Sequence, residues 1–249
     1  MSNLKKILDS FNVQNSLNPK IWENPTQPKK SKLKERVRKG LLKIADVFIE
    51  DLGDDIPVTD IYLMGSLANF NWSEFSDFDL HVIVDMEKYG KDAKLYEELF
   101  DLKKKLFNLK HDIFIFGYDV ELYAQPLKAE SHSDGVYSLT NDKWVNVPEK
   151  TEKKLDQELL KKKIKSWTEK IDNAIETAEV DGNTDIIKKI KDKLKDYRQM
   201  GLRNEGEFSY ENLVFKYLRR SGYVEKLFDT KNKVTDKKLS IETKLLGTK

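Results

Sequence analysis

The sequence predicts an α/β (α+β) protein, a small mixed sheet flanked by helices and followed by a helical C-terminal region. Short apolar runs with strand-like alternation cluster between residues 58 and 147. Helical periods of three and four dominate after Pro148. The pairs Gly117-Tyr118 and Asn141-Asp142 punctuate the first half as hairpin turns.

Residues 1–32 read as an irregular N-terminal arm. Asn18-Pro19 and the breaker-rich stretch 25–30 interrupt regular structure, and Trp22 is expected to anchor the arm. A helix is expected over 33–51, because Val37, Leu41, Leu42, Ile44, Ala45 and Phe48 recur at helical spacing, and Gly53 ends it. Pro57 opens an apolar run over 58–64 that reads as a strand and stops at Gly65-Ser66. A second strand is expected over 78–84. A helix over 93–109 follows, with Leu95, Leu99, Leu102, Leu106 and Leu109 on one face. Strands over 112–116 and 119–124 form one hairpin, and strands over 136–139 and 144–147 a second. Helices are expected over 151–180, 184–200 and 209–228, separated by Asp181-Gly182-Asn183 and a turn over 201–207. The domain reading is an arm at 1–32, a core at 33–148, a helical domain at 149–230 and a polar tail at 231–249.

Composition narrows the chemistry. The chain has 249 residues and no cysteine, so disulfides and thiolate zinc sites are excluded. No apolar run approaches the length of a membrane span, and the start, MSNLKKILDSF, lacks a leader-like apolar stretch. A cytoplasmic protein is the expectation, without a membrane. Residues 151–249 carry 24 Lys and Arg against 18 Asp and Glu, whereas residues 1–150 carry 21 against 25. An acidic front and a basic back suit a metal site beside a polyanion-facing part, although lysine-rich helices are often merely solvated.

The segment from Ile61 to Asp85 carries the chemistry. A strand runs into Gly65-Ser66, and after ten intervening residues comes Asp77-Phe78-Asp79 at the start of the next strand. Alternation puts Asp77 and Asp79 on one face, about 7 Å apart along the backbone. Two such carboxylates can converge on divalent cations, and hard oxygen ligands suit Mg²⁺. Glycine at 65 permits close approach of backbone to a phosphate, and Ser66 opens a short helical turn with N–H and O–H donors. A third acid is expected on a neighbouring strand. Asp119 and Glu121 share a face, and Glu121 is preferred because it sits deeper in the apolar run; Asp119 is the alternative.

The Gly-Ser, the ten-residue gap, the Asp-x-Asp and the later strand carboxylate resemble the DNA polymerase β-like nucleotidyltransferase superfamily. The resemblance covers residues 58–123. It implies that Gly65 and Ser66 hold a triphosphate and that Asp77, Asp79 and Glu121 bind two Mg²⁺ (or Mn²⁺) ions. It implies transfer of NMP from an NTP to an acceptor hydroxyl, with RNA or tRNA as a possible acceptor. Transfer to a small molecule, a nucleotide or a protein is the alternative. A non-catalytic, toxin–antitoxin-like binding partner with the same fold is a further alternative. The third carboxylate departs from the many members that use aspartate there. The resemblance says nothing about oligomeric state.

Other residues fall short of a motif. His81 shares the face of Asp77 and Asp79, where it could touch an acceptor or orient a carboxylate, and a structural role is preferred. His111 and His132 read as surface residues. Tyr137 and Ser138 could stack a base and bind a phosphate, or simply pack in a hairpin. Ser209 suits an N-cap. Beyond it, Lys216, Arg219, Arg220 and Tyr223 fall on one helix face, with Arg198 and Arg203 nearby. This face could grip a triphosphate or a nucleic-acid strand, or be a solvated basic face.

Overall fold

The computed structural model describes residues 3–129, 133–150 and 155–240. The chain divides into two compact units, one spanning Asp9–Glu152 and one formed by Met1–Leu8 with Lys153–Lys249.

The first unit is built on a six-stranded mixed sheet. Its strands are β1 (Val58–Met64), β2 (Phe78–Val84), β3 (Phe114–Ile115), β4 (Tyr118–Pro126), β5 (Val136–Ser138) and β6 (Lys143–Asn146), arranged β3-β4-β2-β1-β5-β6. β2 and β4 run parallel, and the other pairings are antiparallel. The parallel pair needs a crossover, which α3 (Ala93–Lys110) supplies. β1 and β2 have the bounds their alternation predicted.

Alternation sorts the sheet into two faces. Phe78, Leu80, Val82 and Val84 of β2, with Leu63, Leu122 and Tyr137, join a core with Val37, Leu41, Ala45, Phe48 and Leu52 of α2 (Glu35–Leu52). The opposite face carries Asp79, His81, Glu121, Tyr123 and Gln125. The segment between Asp9 and α2 is stitched onto this unit rather than loose. Trp22 is buried and stacks on Trp144 at 4.6 Å, as an anchor should.

The helix over 93–110 forms as expected, but its leucine face does not enter the core. Phe100 and Phe107 are its buried side chains, Phe107 meeting Phe48 edge-on at 5.1 Å. Asn108 fixes this orientation. Its Nδ2 donates to the Leu122 carbonyl at 3.0 Å, and the Leu122 N–H donates to its Oδ1 at 3.1 Å. One side-chain amide thus satisfies the backbone edge of β4, which β3 is too short to cover.

The second unit is helical: α4 (Gln157–Asp181), α5 (Asp185–Glu205), α6 (Tyr210–Arg220) and α7 (Tyr223–Leu239), with α1 (Asn3–Asp9) beginning the chain. Asp156 caps α4 by accepting from the N–H groups of Glu158 and Leu159 at 2.9 and 3.0 Å. Gly182, in the left-handed region, ends it. Ser209 caps α6, as expected. The glycine at 201 is no breaker. It lies inside α5, where a Cβ would come within 2.5 Å of the Glu211 Cβ, so it admits close approach of α6. The expected single helix over 209–228 is two, because Gly222 at φ 81° breaks it. Residues 231–239, expected as polar tail, continue α7. His132 and residues 241–249 lie outside the described residues. No helix among the described residues is long and apolar enough to cross a membrane.

Candidate active site

The acidic site is assembled by strand register. Met64 of β1 and Glu121 of β4 flank Asp79 of β2, one strand on each side. Asp77, Asp79 and Glu121 each offer a carboxylate oxygen, and these oxygens lie within 4.8 Å of one another. All three are partly exposed. Three hard oxygen donors converging at that spacing could hold a divalent cation. Asp119 is outside this set, exposed and paired with Phe114 at the hairpin.

Gly65 is fitted against these acids. Its φ of 73° lies in the left-handed region, and a Cβ there would stand 1.7 Å from the Asp79 Oδ2. Only glycine lets β1 end flush with the Asp79 carboxylate. The Gly65 N–H donates to the Ser133 hydroxyl at 3.1 Å, and Asn69 Nδ2 donates to the Gly65 carbonyl at 3.0 Å. Ser66 is buried in the turn that follows, and its hydroxyl donates to Ser76 Oγ at 2.8 Å. That bond closes the ten-residue loop onto the residue before Asp77. In this structure the Ser66 hydroxyl therefore locks the loop, and the Trp22 indole Nε1–H donates to the Leu67 carbonyl at 2.8 Å to hold the same turn from the arm.

Glu121 is itself held. Tyr123 Oη donates to Glu121 Oε2 at 2.6 Å, and burial among the neighbouring carboxylates pushes the phenol well above its ordinary range. The phenol is therefore a fixed donor. Its ring stacks on His81 at 4.6 Å, and His81 Nδ1 lies 2.7 Å from Gln125 Oε1. Burial holds the imidazole down to about 4, so it is neutral near pH 7, with Nδ1–H donating to Gln125. A neutral, hydrogen-bonded ring supports Tyr123, in line with the structural role preferred for His81.

Two sequence-derived candidates stand elsewhere. Tyr137 points to the core face, fully buried between Trp22 and Trp144 at 5.0 Å from each, and donates to Asp142 Oδ1 at 2.8 Å. It has no face left for a base. Ser138 is buried and donates to Asp60 at 2.8 Å, while Asn141 donates to the same carboxylate at 2.9 Å. Ser138 thereby serves a buried acid rather than a phosphate. Sequence reading missed Tyr123, Ser76, Ser133 and Asp60. Tyr123 alone carried a signal, by sharing the alternation of Glu121.

Residues 45–138 match the family model of the nucleotidyltransferase domain. This stretch of the chain is a nucleotidyltransferase domain of the DNA polymerase β-like superfamily. The match begins within α2, ends with β5 and takes in Gly65, Ser66 and all three acids. A nucleotidyltransferase domain implies an NTP substrate and transfer of NMP in general. No curated protein and no solved structure matches the chain.

The helical unit gathers the opposite charge. Lys216 is largely buried, and burial pushes its ammonium below the ordinary range. Glu207, 3.6 Å away, works against that shift, whereas Arg220, Arg198 and Arg219 reinforce it. Arg198 also lies over the Phe215 ring at 4.3 Å and donates to Asn212 at 3.2 Å. Lys216 and Arg219 thus sit in one cationic cluster with a carboxylate inside it.

Proposed function

We propose that the nucleotidyltransferase domain transfers NMP from an NTP to the hydroxyl of an RNA end, releasing pyrophosphate. The observation that carries this reading is the convergence of Asp77, Asp79 and Glu121 within 4.8 Å beside the glycine turn. The donor set fits Mg²⁺ or Mn²⁺, with Asp77, Asp79 and Glu121 as ligands. A divalent ion held there would supply Lewis acidity at the α-phosphate and offset charge on the departing pyrophosphate.

The chain's own residues do the positioning. Gly65 leaves room for phosphate oxygens beside Asp79, which a side chain would fill. Tyr123 occupies one Glu121 oxygen and leaves the other for the site. The acceptor oxygen forms a bond to Pα as the Pα–O bond to the β-phosphate breaks, and the leaving pyrophosphate keeps that electron pair. The hydroxyl proton passes to Glu121. Residues 33–148 carry this chemistry, and residues 149–230 select the acceptor. The cluster of Lys216, Arg219 and Arg198, with Arg198 over the Phe215 ring, supports an RNA acceptor, since a cation packed against an aromatic ring suits phosphates and bases.

The test supplies each labelled NTP with Mg²⁺ or Mn²⁺, total cellular RNA and whole lysate. RNA is expected to take up label, and Asp77→Asn or Asp79→Asn is expected to lower uptake at least about a hundredfold while the fold persists. RNA binding should weaken steeply with salt. Label on a protein or small molecule would exclude RNA but keep NMP transfer. No label on anything, with either metal, would exclude the transfer itself.

A further inference from the structure

The five leucines of α3 point away from the core. Leu95 is 65% exposed, Leu99 38%, Leu102 63%, Leu106 47% and Leu109 82%. Their spacing of four, three, four and three averages half a heptad, the period of a two-helix seam rather than of a helix lying on a sheet. The opposite side of α3 is fixed to the sheet unit through Phe100, Phe107 and Asn108, so the leucines cannot turn inward without breaking the β4 edge. A continuous apolar stripe of this length on a rigid helix marks an interaction surface.

Charge along α3 identifies the occupant. The first half carries Glu97, Glu98 and Asp101 with one cation, Lys94, and the second half carries Lys103, Lys104, Lys105 and Lys110 with no acid. A helix so divided complements its own reverse. We infer that α3 is the seam of a symmetric dimer, pairing antiparallel with α3 of a second copy of this chain. In that register Leu95 packs beside the partner's Leu106 and Leu99 beside the partner's Leu102, and the two-fold axis repeats both layers. Glu98, exposed on the flank of the seam, meets the partner's Lys105. Lys105 is also exposed and pairs with Asp101 of its own helix in the single chain. A parallel seam would set Glu98 against the partner's Lys103 but Lys105 against the partner's Lys110, a like-charge contact repeated by symmetry that offsets the first pair. The isologous antiparallel arrangement closes, as a two-fold interface must.

Sedimentation of the full chain over a wide range of concentration tests this directly. The chain is expected to be a dimer, and Leu99→Glu with Leu102→Glu to be a monomer with an unchanged circular dichroism spectrum. A chain that stays monomeric throughout overturns the inference, as does a dimer that survives both glutamates. Charge exchange then reads orientation. Glu98→Lys alone and Lys105→Glu alone should each weaken the dimer by about tenfold or more, and the double exchange should restore it. If Lys105→Glu alone tightens the dimer, the antiparallel pairing is wrong. The readout is assembly, so it stands apart from whether RNA or any other acceptor is labelled.

Discussion

Both units of the chain crowd like charges together, and they differ in what offsets the crowding. In the sheet unit three carboxylates offer oxygens within 4.8 Å of one another beside a glycine, and the neutral phenol of Tyr123 donates to Glu121. In the helical unit Lys216 stands among Arg198, Arg219 and Arg220 with Glu207 inside the cluster. The acidic site offers three carboxylate oxygens that could hold a cation, whereas the basic cluster carries part of its own counter-charge. Gathered like charge is unfavourable for folding. In the second unit Glu207 offsets part of that cost.

The largest effect is expected at Gly65. Alanine there would be strained at φ 73° and would drive its Cβ into the Asp79 carboxylate, 1.7 Å away. Gly65→Ala should reduce NMP transfer by about a hundredfold or more, because displacing the proposed metal ligand Asp79 costs at least what losing its support would. Measured transfer within a few-fold of the parent would show that the glycine approach is incidental.

A smaller effect is expected in the helical unit, at Glu207. Glu207→Gln should destabilise the chain by about 3 kcal/mol, since it strips a largely buried cation of its partner. Lys216→Met should cost far less, because it removes the crowded charge together with its burial penalty, and it should still weaken RNA binding. Urea unfolding of both variants, beside a salt titration of RNA binding, separates the two. Equal losses of stability would mean that Glu207 and Lys216 act as an ordinary pair, with no competing anion.

The two units also differed in how far the sequence could be read. In the sheet unit spacing is strict. Alternation fixed β1 and β2, and the choice of Glu121 over Asp119 followed from depth in an apolar run. Residues that act at long range had no such signature. Ser76 closes the loop through Ser66, Trp22 holds the turn from more than forty residues upstream, and Ser133 meets the Gly65 N–H. Tyr137 had the composition of a base-stacking residue, but alternation put it on the core face. In the helical unit glycine misled twice. Gly201 reads as a breaker yet lies within α5 for close packing, and Gly222 breaks a helix whose apolar period runs on across it. Periodicity reports that a helix has a face, not which face is buried, as the leucines of α3 show.

The finest distinction concerns Tyr123. If the acidic site is organised from within its own unit, the phenol should matter through Glu121 and not through packing. Tyr123→Phe keeps the ring on His81 and removes only the hydroxyl that donates to Glu121 Oε2. Glu121 would then turn among more orientations, and Mn²⁺ affinity should fall about tenfold, the scale of losing a hydrogen bond that orients a metal ligand. The urea midpoint should move by no more than about 1 kcal/mol, because the lost bond is a single one. Mn²⁺ titration followed by electron paramagnetic resonance reads this without any acceptor, so it remains informative whatever the domain labels. Unchanged affinity would mean that strand register alone aims Glu121. The pairing of Asp79 with Glu121 across parallel strands would then be the whole basis of the site's geometry.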